Sequence, residues 1–207
     1  MQGPLSIFYF LILIVSIIVH EVAHGIIAER EGDPTARVLG RITLNPLKHI
    51  EWFGSVILPL LLILSNAGFV IGWAKPVPYN PDNLKHGSKS IAKVAIAGIV
   101  VNLSIALVFG LLIRASLATG LISRAFIDIA SIIVLVNVAL ALFNAMPFAP
   151  LDGFRFLSAV LPQGAQPTMR RIEQYSFPIL IVFVVFGWKF VAPLAFTIYS
   201  LFTGISI

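Results

Sequence analysis

The sequence predicts an all-α polytopic membrane protein, and its composition and its hydrophobic runs lead to that prediction. Of the 207 residues, 58% are hydrophobic and 11% are charged, whereas soluble globular domains carry about 25% charged residues. The hydrophobic residues form runs of about 20, the length that an α-helix needs to cross a bilayer. The same composition excludes a disordered chain, which requires low hydrophobicity and high charge. At roughly 150 residues per domain, the chain is expected to form one domain.

Five hydrophobic runs are long enough to be transmembrane or re-entrant helices. The last run is interrupted by Lys189 and Pro193, which is consistent with two shorter helices. The sequence therefore predicts about four to six helices in the membrane. In chain order, the runs are residues 4–28, 53–73, 93–117, 126–147 and 177–202.

Two of the polar connections predict extended backbone. Residues 37–45 contain β-branched side chains in partial alternation and end at Asn45-Pro46, so they predict a short β segment. Residues 75–79 contain Pro76 and Pro78, which exclude a helix and restrict the residues before them to extended conformations.

The distribution of basic residues predicts how the chain is oriented in the membrane. The net charge of +5 indicates orientation in a membrane protein, and we expect no nucleic-acid partner. If every run crosses fully, 6 Lys and Arg residues lie on one side and 7 on the other. If residues 53–73 enter and return on the same side, the numbers become 11 and 2. Because short cytoplasmic loops are rich in Lys and Arg, we expect a re-entrant second segment and an extracytoplasmic N-terminus.

The first hydrophobic run contains three ionisable residues, His20, Glu21 and His24. Positions i and i+4 share one face of a helix, so both imidazoles can reach one metal ion while Glu21 points about 100° away. This His-Glu-x-x-His spacing is a metalloprotease signature, in which the His residues bind zinc and the Glu is the base. A polar cluster that only holds helices together is the alternative, but ionisable residues in a spanning helix are costly and usually functional.

A third zinc ligand is expected among the acidic residues. Catalytic zinc has three protein ligands and a water, and the chain has no cysteine. Asp152 directly follows a spanning run that Pro147 and Pro150 break. Broken helix at membrane depth is tolerated where it lines protein or a cavity. We therefore predict that Asp152 is the third ligand; an interfacial turn ended by Asp152-Gly153 is the alternative.

Together these residues resemble the site-2 protease family of intramembrane zinc metalloproteases, peptidase family M50. The resemblance extends to about residue 159 and indicates a compact prokaryotic branch without PDZ or CBS domains. It implies that His20, His24 and Asp152 bind one Zn²⁺ per chain, that Glu21 is the catalytic acid/base, and that Asn102 and Asn144 lie near the substrate or the oxyanion. The motifs that carry it are His20-Glu21-x-x-His24, Gly98-x-x-x-Asn102, Asn144-x-x-Pro147-x-x-Pro150-Leu151-Asp152-Gly153, and residues 40–49 and 72–78.

The resemblance implies that residues 1–207 form a single intramembrane metalloprotease domain. Such a domain hydrolyses peptide bonds of membrane-embedded substrate helices with a zinc-bound water that the Glu activates. The expected partners are a transmembrane protein or peptide substrate and the lipid bilayer. The expected location is the prokaryotic cell membrane, multi-pass, with the active site toward the cytoplasm.

The expected substrate geometry and two alternative functions also follow from the sequence. A substrate helix must unwind before cleavage, and an edge strand at residues 37–44 is expected to hold the unwound segment by β-addition. A membrane metal transporter and a catalytically inactive scaffold that keeps the metal site are the alternatives. Transporters generally place ionisable residues along a pathway and often contain internal repeats, whereas this sequence has one compact cluster.

Overall fold

The long hydrophobic runs form helices in the computed structural model, which describes residues 4–65, 72–120 and 123–205. Within these residues, three helices are long and apolar enough to cross a membrane, namely Phe8–Arg30, Ser88–Thr119 and Arg124–Asn144. In chain order, the α-helices are α1 (Pro4–Arg30), α2 (Thr35–Val38), α3 (Leu58–Leu64), α4 (Ser88–Thr119), α5 (Arg124–Asn144), α6 (Asp152–Val160), α7 (Gln166–Gln174), α8 (Ser176–Val182) and α9 (Trp188–Thr203).

The other two hydrophobic runs are irregular helices. The run predicted at 53–73 begins with a π-helical segment, Trp52–Ile57, followed by the short helix α3; residues 66–71 lie outside the described residues. The run predicted at 177–202 consists of α8, a π-helical segment at Phe183–Gly187, and α9. Three helices are thus long enough to span, and the predicted total of four to six stays a prediction.

The two ends of the second run lie next to each other. The Trp73 amide donates a hydrogen bond to the Gly54 carbonyl (3.2 Å), and the Lys75 amide donates to the His49 carbonyl (2.8 Å). Gly54 permits this approach because a Cβ there would overlap the Trp73 indole. Adjacent ends are compatible with a re-entrant segment, which stays a prediction.

The predicted β segment at residues 37–45 is wrong, because these residues form the end of α2, a turn and irregular backbone, and the described chain contains no strand. Arg37 lies in α2 and its guanidinium donates two hydrogen bonds to the carboxylate of Glu29 on α1 (2.8 and 2.7 Å). Gly40, at φ +61°, then reverses the chain, and the Arg41 amide donates to the Ala36 carbonyl (2.8 Å). Local hydrogen bonds therefore outweigh the β propensity of the side chains, and the expected β-addition of substrate at 37–44 loses its basis.

Helix α4 is the centre of the helical packing and contacts α1, α5, α6 and α9. Small residues let these helices approach closely: a Cβ at Gly110, for example, would overlap Phe202 of α9. A polar contact joins α1 to α5, where the Asn137 amide donates to the Ser16 hydroxyl (3.0 Å). The largest group of buried apolar residues lies between α4, α5 and α9 and consists of Ala106, Ile113, Ala130, Val134, Val138, Ala195 and Tyr199.

The end of α1 is tied to the start of α4. The Lys85 amide donates to the Glu31 carbonyl (2.9 Å), and the Glu31 carboxylate accepts hydrogen bonds from Ser90 (2.6 Å) and Lys93 (2.7 Å). The segment between the two helices therefore returns to the end of the bundle at which it started. This arrangement makes α1 and α4 antiparallel neighbours and sets which of their side chains face each other.

Candidate metal centre

Two histidines project from the C-terminal half of α1 toward the helix packing. No proline interrupts α1, so His20 and His24 lie one turn apart on one face. Both are buried, and their rings pack edge to face with centroids 4.8 Å apart. The helix therefore holds two imidazoles close enough for one ion to bind both.

Asp152 reaches the histidines because α5 ends eight residues earlier. The backbone turns after Asn144, and α6 begins at Asp152. Gly153 lets the two ends pack together, since a Cβ there would overlap the Ala145 carbonyl. As a result, Asp152 Oδ2 lies 3.0 Å from His20 Nε2 and 3.1 Å from His24 Nε2.

The hydrogen bond of His24 shows what this cluster requires. His24 Nδ1 lies 2.7 Å from the Val94 carbonyl, and since a carbonyl can only accept, Nδ1 carries the proton. In the neutral imidazole, Nε2 then presents a lone pair to the Asp152 carboxylate. Asp152 Oδ2 is buried and has no hydrogen-bond partner. Lone pairs that converge in this way fit a cation, and the ligand atoms of the three residues lie within 4.8 Å of one another.

The carboxyl of Asp152 is suited to a cation also by its charge. An anionic oxygen and two neutral imidazole nitrogens are a donor set typical of catalytic zinc. The residues present therefore fit one zinc ion.

Glu21 contacts a different part of the chain from the one that His20 and His24 contact. Its carboxylate Oε2 accepts a hydrogen bond from the Val77 amide (2.7 Å) in residues 72–80, which are non-helical and contain the predicted extended residues 75–79; this stretch is called the extended segment below. Glu21 is therefore next to the metal cluster along α1 but outside the set of residues whose atoms converge. Glu21 is therefore not one of the three residues that could bind the ion together.

A protein from Bacillus subtilis is similar to almost the whole chain. The chain is 39% identical over 203 residues to the protein named "Putative zinc metalloprotease YwhC" from Bacillus subtilis (strain 168), covering 92% of this chain and 84% of that protein. The chain belongs to peptidase family M50. The sequence profile described as "Peptidase family M50" matches residues 113–187, which include Asp152.

A second relative is less similar to the chain. The chain is 31% identical over 196 residues to "Putative zinc metalloprotease Rip2" from Mycolicibacterium smegmatis (strain ATCC 700084 / mc(2)155), covering 88% of this chain and 70% of that protein. No solved structure matches the chain significantly. The family and the names of its relatives support a metalloprotease with a metal cofactor.

One face of α4 packs against the histidines of this M50 member. Val94, Gly98 and Asn102 are spaced four residues apart, so they share that face. Val94 meets His24, whereas Gly98 and Asn102 meet His20. A Cβ at Gly98 would overlap the His20 ring, so only glycine lets the imidazole lie against the α4 backbone. The Gly98-x-x-x-Asn102 spacing thus corresponds to one turn of helix facing one ring.

Asn102 lies behind His20. Its side chain is fully buried, and the amide lies 3.3 Å from His20 Nδ1. Asn102 Oδ1 has no partner, and turning the amide by 180° would let Oδ1 accept a hydrogen bond from Nδ1–H. That arrangement would leave His20 Nε2 free as a ligand. The structure therefore brings Asn102 to the site as a partner of His20.

The hydrogen bond of the Asn144 side chain lies within its own helix. Its amide donates to the Leu140 carbonyl of its own helix (2.9 Å), at the point where α5 ends. The predicted role of Asn144 near the substrate or the oxyanion stays a prediction.

Residue patterns missed the partners of Glu21 and His24. Val77 and Val94 act through backbone atoms, which every residue possesses, so their side chains gave no sign of the contact. The one available sign was the sequence Pro76-Val77-Pro78, because the prolines have no amide hydrogen and Val77 is the single donor among these three residues.

Proposed function

We propose that the chain is an intramembrane zinc metalloprotease that hydrolyses peptide bonds of membrane-embedded substrate helices. The observation that carries this proposal is the buried His20, His24 and Asp152 cluster, with Glu21 beside it on a helix apolar enough to span a bilayer. A membrane protein that only passed a metal ion would have no need of a carboxylate beside the cluster and outside the ligand set.

The depth of the cluster in α1 supports cleavage inside the bilayer. At 1.5 Å per residue, His20 lies about 15 Å and His24 about 9 Å from Arg30, the end of the apolar segment. Hydrolysis at that depth requires water, and the non-helical backbone at residues 145–151 supports a route for it. Several residues of this loop are exposed, whereas Asp152 at its end is buried.

The proposed chemistry assigns a task to each residue of the site. A zinc ion, when bound, would lower the pKa of a coordinated water and polarise the scissile carbonyl. His20, His24 and Asp152 would hold that ion. Glu21 would accept the proton of the attacking water and then donate it to the leaving amine.

The two asparagines are assigned different tasks. Asn102 is fully buried against His20, so it would fix the orientation of that ring. Asn144 is only half-buried and lies at the start of the non-helical loop, so it is the better placed of the two to contact substrate or the oxyanion.

The proposed location is the prokaryotic cell membrane, with the active site toward the cytoplasm. The segments that follow α1, precede α4 and follow α5 are those that carry 11 Lys and Arg residues in the re-entrant arrangement. Hydrogen bonds tie the first two of these segments together, and α6, which begins the third, contacts α4. The partners would be the lipid bilayer and a transmembrane protein or peptide substrate.

The substitution E21Q tests the proposal. The zinc-loaded full-length chain is reconstituted with a single-span test substrate, and cleavage and bound zinc are both measured. We expect E21Q to cleave about 10²–10⁴-fold more slowly while zinc stays bound, because a general base is lost and no ligand is. The matched control is E29Q on the same helix, whose exposed ion pair with Arg37 should change cleavage by no more than about twofold.

The same vesicles separate the alternatives and test the orientation. Equal cleavage by wild type and E21Q contradicts the mechanism, zinc uptake without cleavage indicates a transporter, and neither activity indicates an inactive scaffold. The chain has no cysteine, so K48C and K85C each offer a single thiol. Both thiols should react with an impermeant reagent only from the cytoplasmic face; labelling from opposite faces contradicts the re-entrant arrangement.

A further inference from the structure

The extended segment at residues 72–80 contacts the rest of the protein through alternate backbone amides. The Trp73 amide donates to Gly54, the Lys75 amide to His49, and the Val77 amide to the Glu21 carboxylate (2.7 Å). The first two contacts are to backbone carbonyls, whereas the third is to an ionisable side chain. The alternating series 73, 75 and 77 thus ends on the group that the proposed function assigns as the base, and the Asn80 amide at the end of the segment donates to the Asp33 carboxylate (2.6 Å).

A buried arginine holds this segment in place. Arg41 is 7% exposed, and its Nη2 donates to the Lys75 carbonyl (2.8 Å) and the Pro76 carbonyl (3.3 Å). In the described part of the chain, Arg41 forms no ion pair with a carboxylate. A buried guanidinium needs hydrogen-bond partners, and here the carbonyls directly before Val77 supply them.

Side-chain packing against α1 also holds Val77 in place. The Val77 side chain is buried, and Gly25, four residues after Glu21, faces it. A Cβ at Gly25 would lie 3.0 Å from Val77 Cγ1 and 3.2 Å from side-chain atoms of Ala36 and Ile42. The glycine therefore lets the extended segment lie close to the helix face that bears Glu21.

We propose that this segment positions the base: the Val77 amide fixes Glu21 Oε2 and leaves Oε1 for the proton of the attacking water, and Arg41 is the positioning residue that holds the Val77 amide in place. This inference rests on the proposed protease function. A free Glu side chain rotates about three bonds, so a fixed carboxylate oxygen reduces the orientations that the other oxygen can adopt. The segment is then part of the catalytic apparatus, not a cover that must leave before cleavage.

The test removes the Val77 amide hydrogen and compares two variants of one position. V77P has no donor but keeps an extended backbone, because proline and the residues before prolines favour extended conformations. V77A keeps the donor and loses a similar part of the buried side chain. In the reconstituted zinc-loaded chain, we expect the kcat of V77P to lie about tenfold or more below that of V77A, as for a hydrogen bond to a charged group. KM and bound zinc should be similar in the two variants.

The role of Arg41 is tested by a conservative pair and a double variant. R41M removes the donors and should lower kcat, whereas R41K keeps a charged donor and should restore part of it. If Arg41 acts through the Val77 amide, R41M combined with V77P should lose no more than V77P alone, whereas independent losses would multiply. This comparison does not depend on the fold of any one variant, because the readout is the ratio of kcat among variants that bind zinc.

Each other outcome overturns the inference. Equal kcat for V77P and V77A shows that the amide does not position Glu21, and a V77P that is faster than wild type shows that the segment blocks it. If the kcat losses of R41M and V77P multiply in the double variant, Arg41 does not act through the Val77 amide. A wild-type chain that cleaves nothing overturns the proposed function together with this inference. If E21Q abolishes the cleavage seen with wild type and V77P does not reduce it, this inference alone is overturned.

Discussion

Helix α1 has different neighbours on its two functional sides. His20 and His24 face helices α4 and α6, where the contacts are made by the Asp152 carboxylate, by a glycine that makes room for a ring and by a side-chain amide. Glu21 faces the extended segment, where the contact is made by a backbone amide. The ligands are thus held by regular helices, whereas the proposed base is held by irregular backbone.

This difference divides the site into two halves that depend on the sequence in different ways. The helical half, or ligand half, consists of His20, His24 and Asp152 between helices, and the base half consists of Glu21 and the extended segment. Between helices, spacing decides which groups meet, and apart from the Val94 carbonyl that His24 contacts, substituting one residue changes one contact. In the extended segment, the peptide group that meets Glu21 belongs to any residue except proline, so its position depends on Arg41 and on the packing at Gly25. We therefore expect substitutions between the helices to affect zinc binding, and substitutions in the extended segment to affect turnover with zinc still bound.

The largest expected effect comes from G98A, which would break the helical half. The added Cβ overlaps the His20 imidazole, and the α4 backbone cannot move away because α5 and α9 pack on its other faces. We expect zinc binding to weaken by about 100-fold or more, with loss of cleavage, because one of three ligands is displaced. Zinc content and competition with a chelator measure it.

Two other glycines are matched controls for G98A. G54A brings a Cβ against the Trp73 indole in the other half of the site, so it should lower kcat with zinc retained. G164A meets nothing within 4 Å and should leave both measurements near wild type. If G54A releases zinc as readily as G98A, the division between a ligand half and a base half is wrong.

The next largest effect is expected at Asn102, which contacts a ligand in the helical half without being a ligand itself. N102A removes the partner of His20 Nδ1 without touching a ligand, and losses of this kind cost about 10–100-fold in metal affinity. N144A is the contrasting variant, because Asn144 bonds to its own helix and should leave zinc affinity unchanged. Isothermal titration with zinc after chelator treatment measures both. Equal affinities for N102A and wild type would remove Asn102 from the metal centre.

The sequence predicted the spanning helices well and the irregular helices poorly. Runs predicted at 4–28, 93–117 and 126–147 begin and end within a few residues of the observed helices, because a bilayer demands a fixed apolar length. Residues 53–73 meet the same criterion but form a π-helical segment and a short helix. Apolar composition indicates that a segment avoids water but does not indicate whether the segment crosses the bilayer or returns. The distribution of basic residues favours a return, and this stays a prediction.

The sequence could predict the site residues whose ionisable side chains are rare in or beside a spanning helix. A spanning helix seldom contains ionisable groups, so His20, Glu21 and His24 stood out, and Asp152 followed from the ligand that zinc still lacked. Residues 37–45 show the limit of such reasoning: β-branched residues predicted a strand there, whereas Arg37 bonds to Glu29 and Gly40 reverses the chain. Short-range hydrogen bonds decided that conformation, whereas a contact between distant segments decided the position of Val77. Residue propensities indicate neither.

The smallest expected effect on the chemistry is at Asp33, which joins the two halves. Asp33 is fully buried after α1 and accepts hydrogen bonds from the amides of Thr35 (3.2 Å) and Asn80 (2.6 Å) and from the Asn83 side chain (2.8 Å). D33A would leave these donors without a partner, so we expect about 2–3 kcal/mol less stability in detergent while zinc stays bound. D82A in the same connection, on an exposed side chain, should change stability by no more than about 0.5 kcal/mol.

The contribution of Asp33 should also depend on pH in a direction that the structure determines. Burial raises the pKa of its carboxyl, but the hydrogen bonds from Asn83, Thr35 and Asn80 outweigh burial and hold the pKa below its usual value of 3.8. A lowered pKa stabilises the folded state above pH 3.8, and this stabilisation is lost as the pH falls through the folded-state pKa. The melting temperature of wild type should therefore approach that of D33N in acid and exceed it at neutral pH. A difference that stays constant with pH would show that the hydrogen bonds at Asp33 do not depend on its charge.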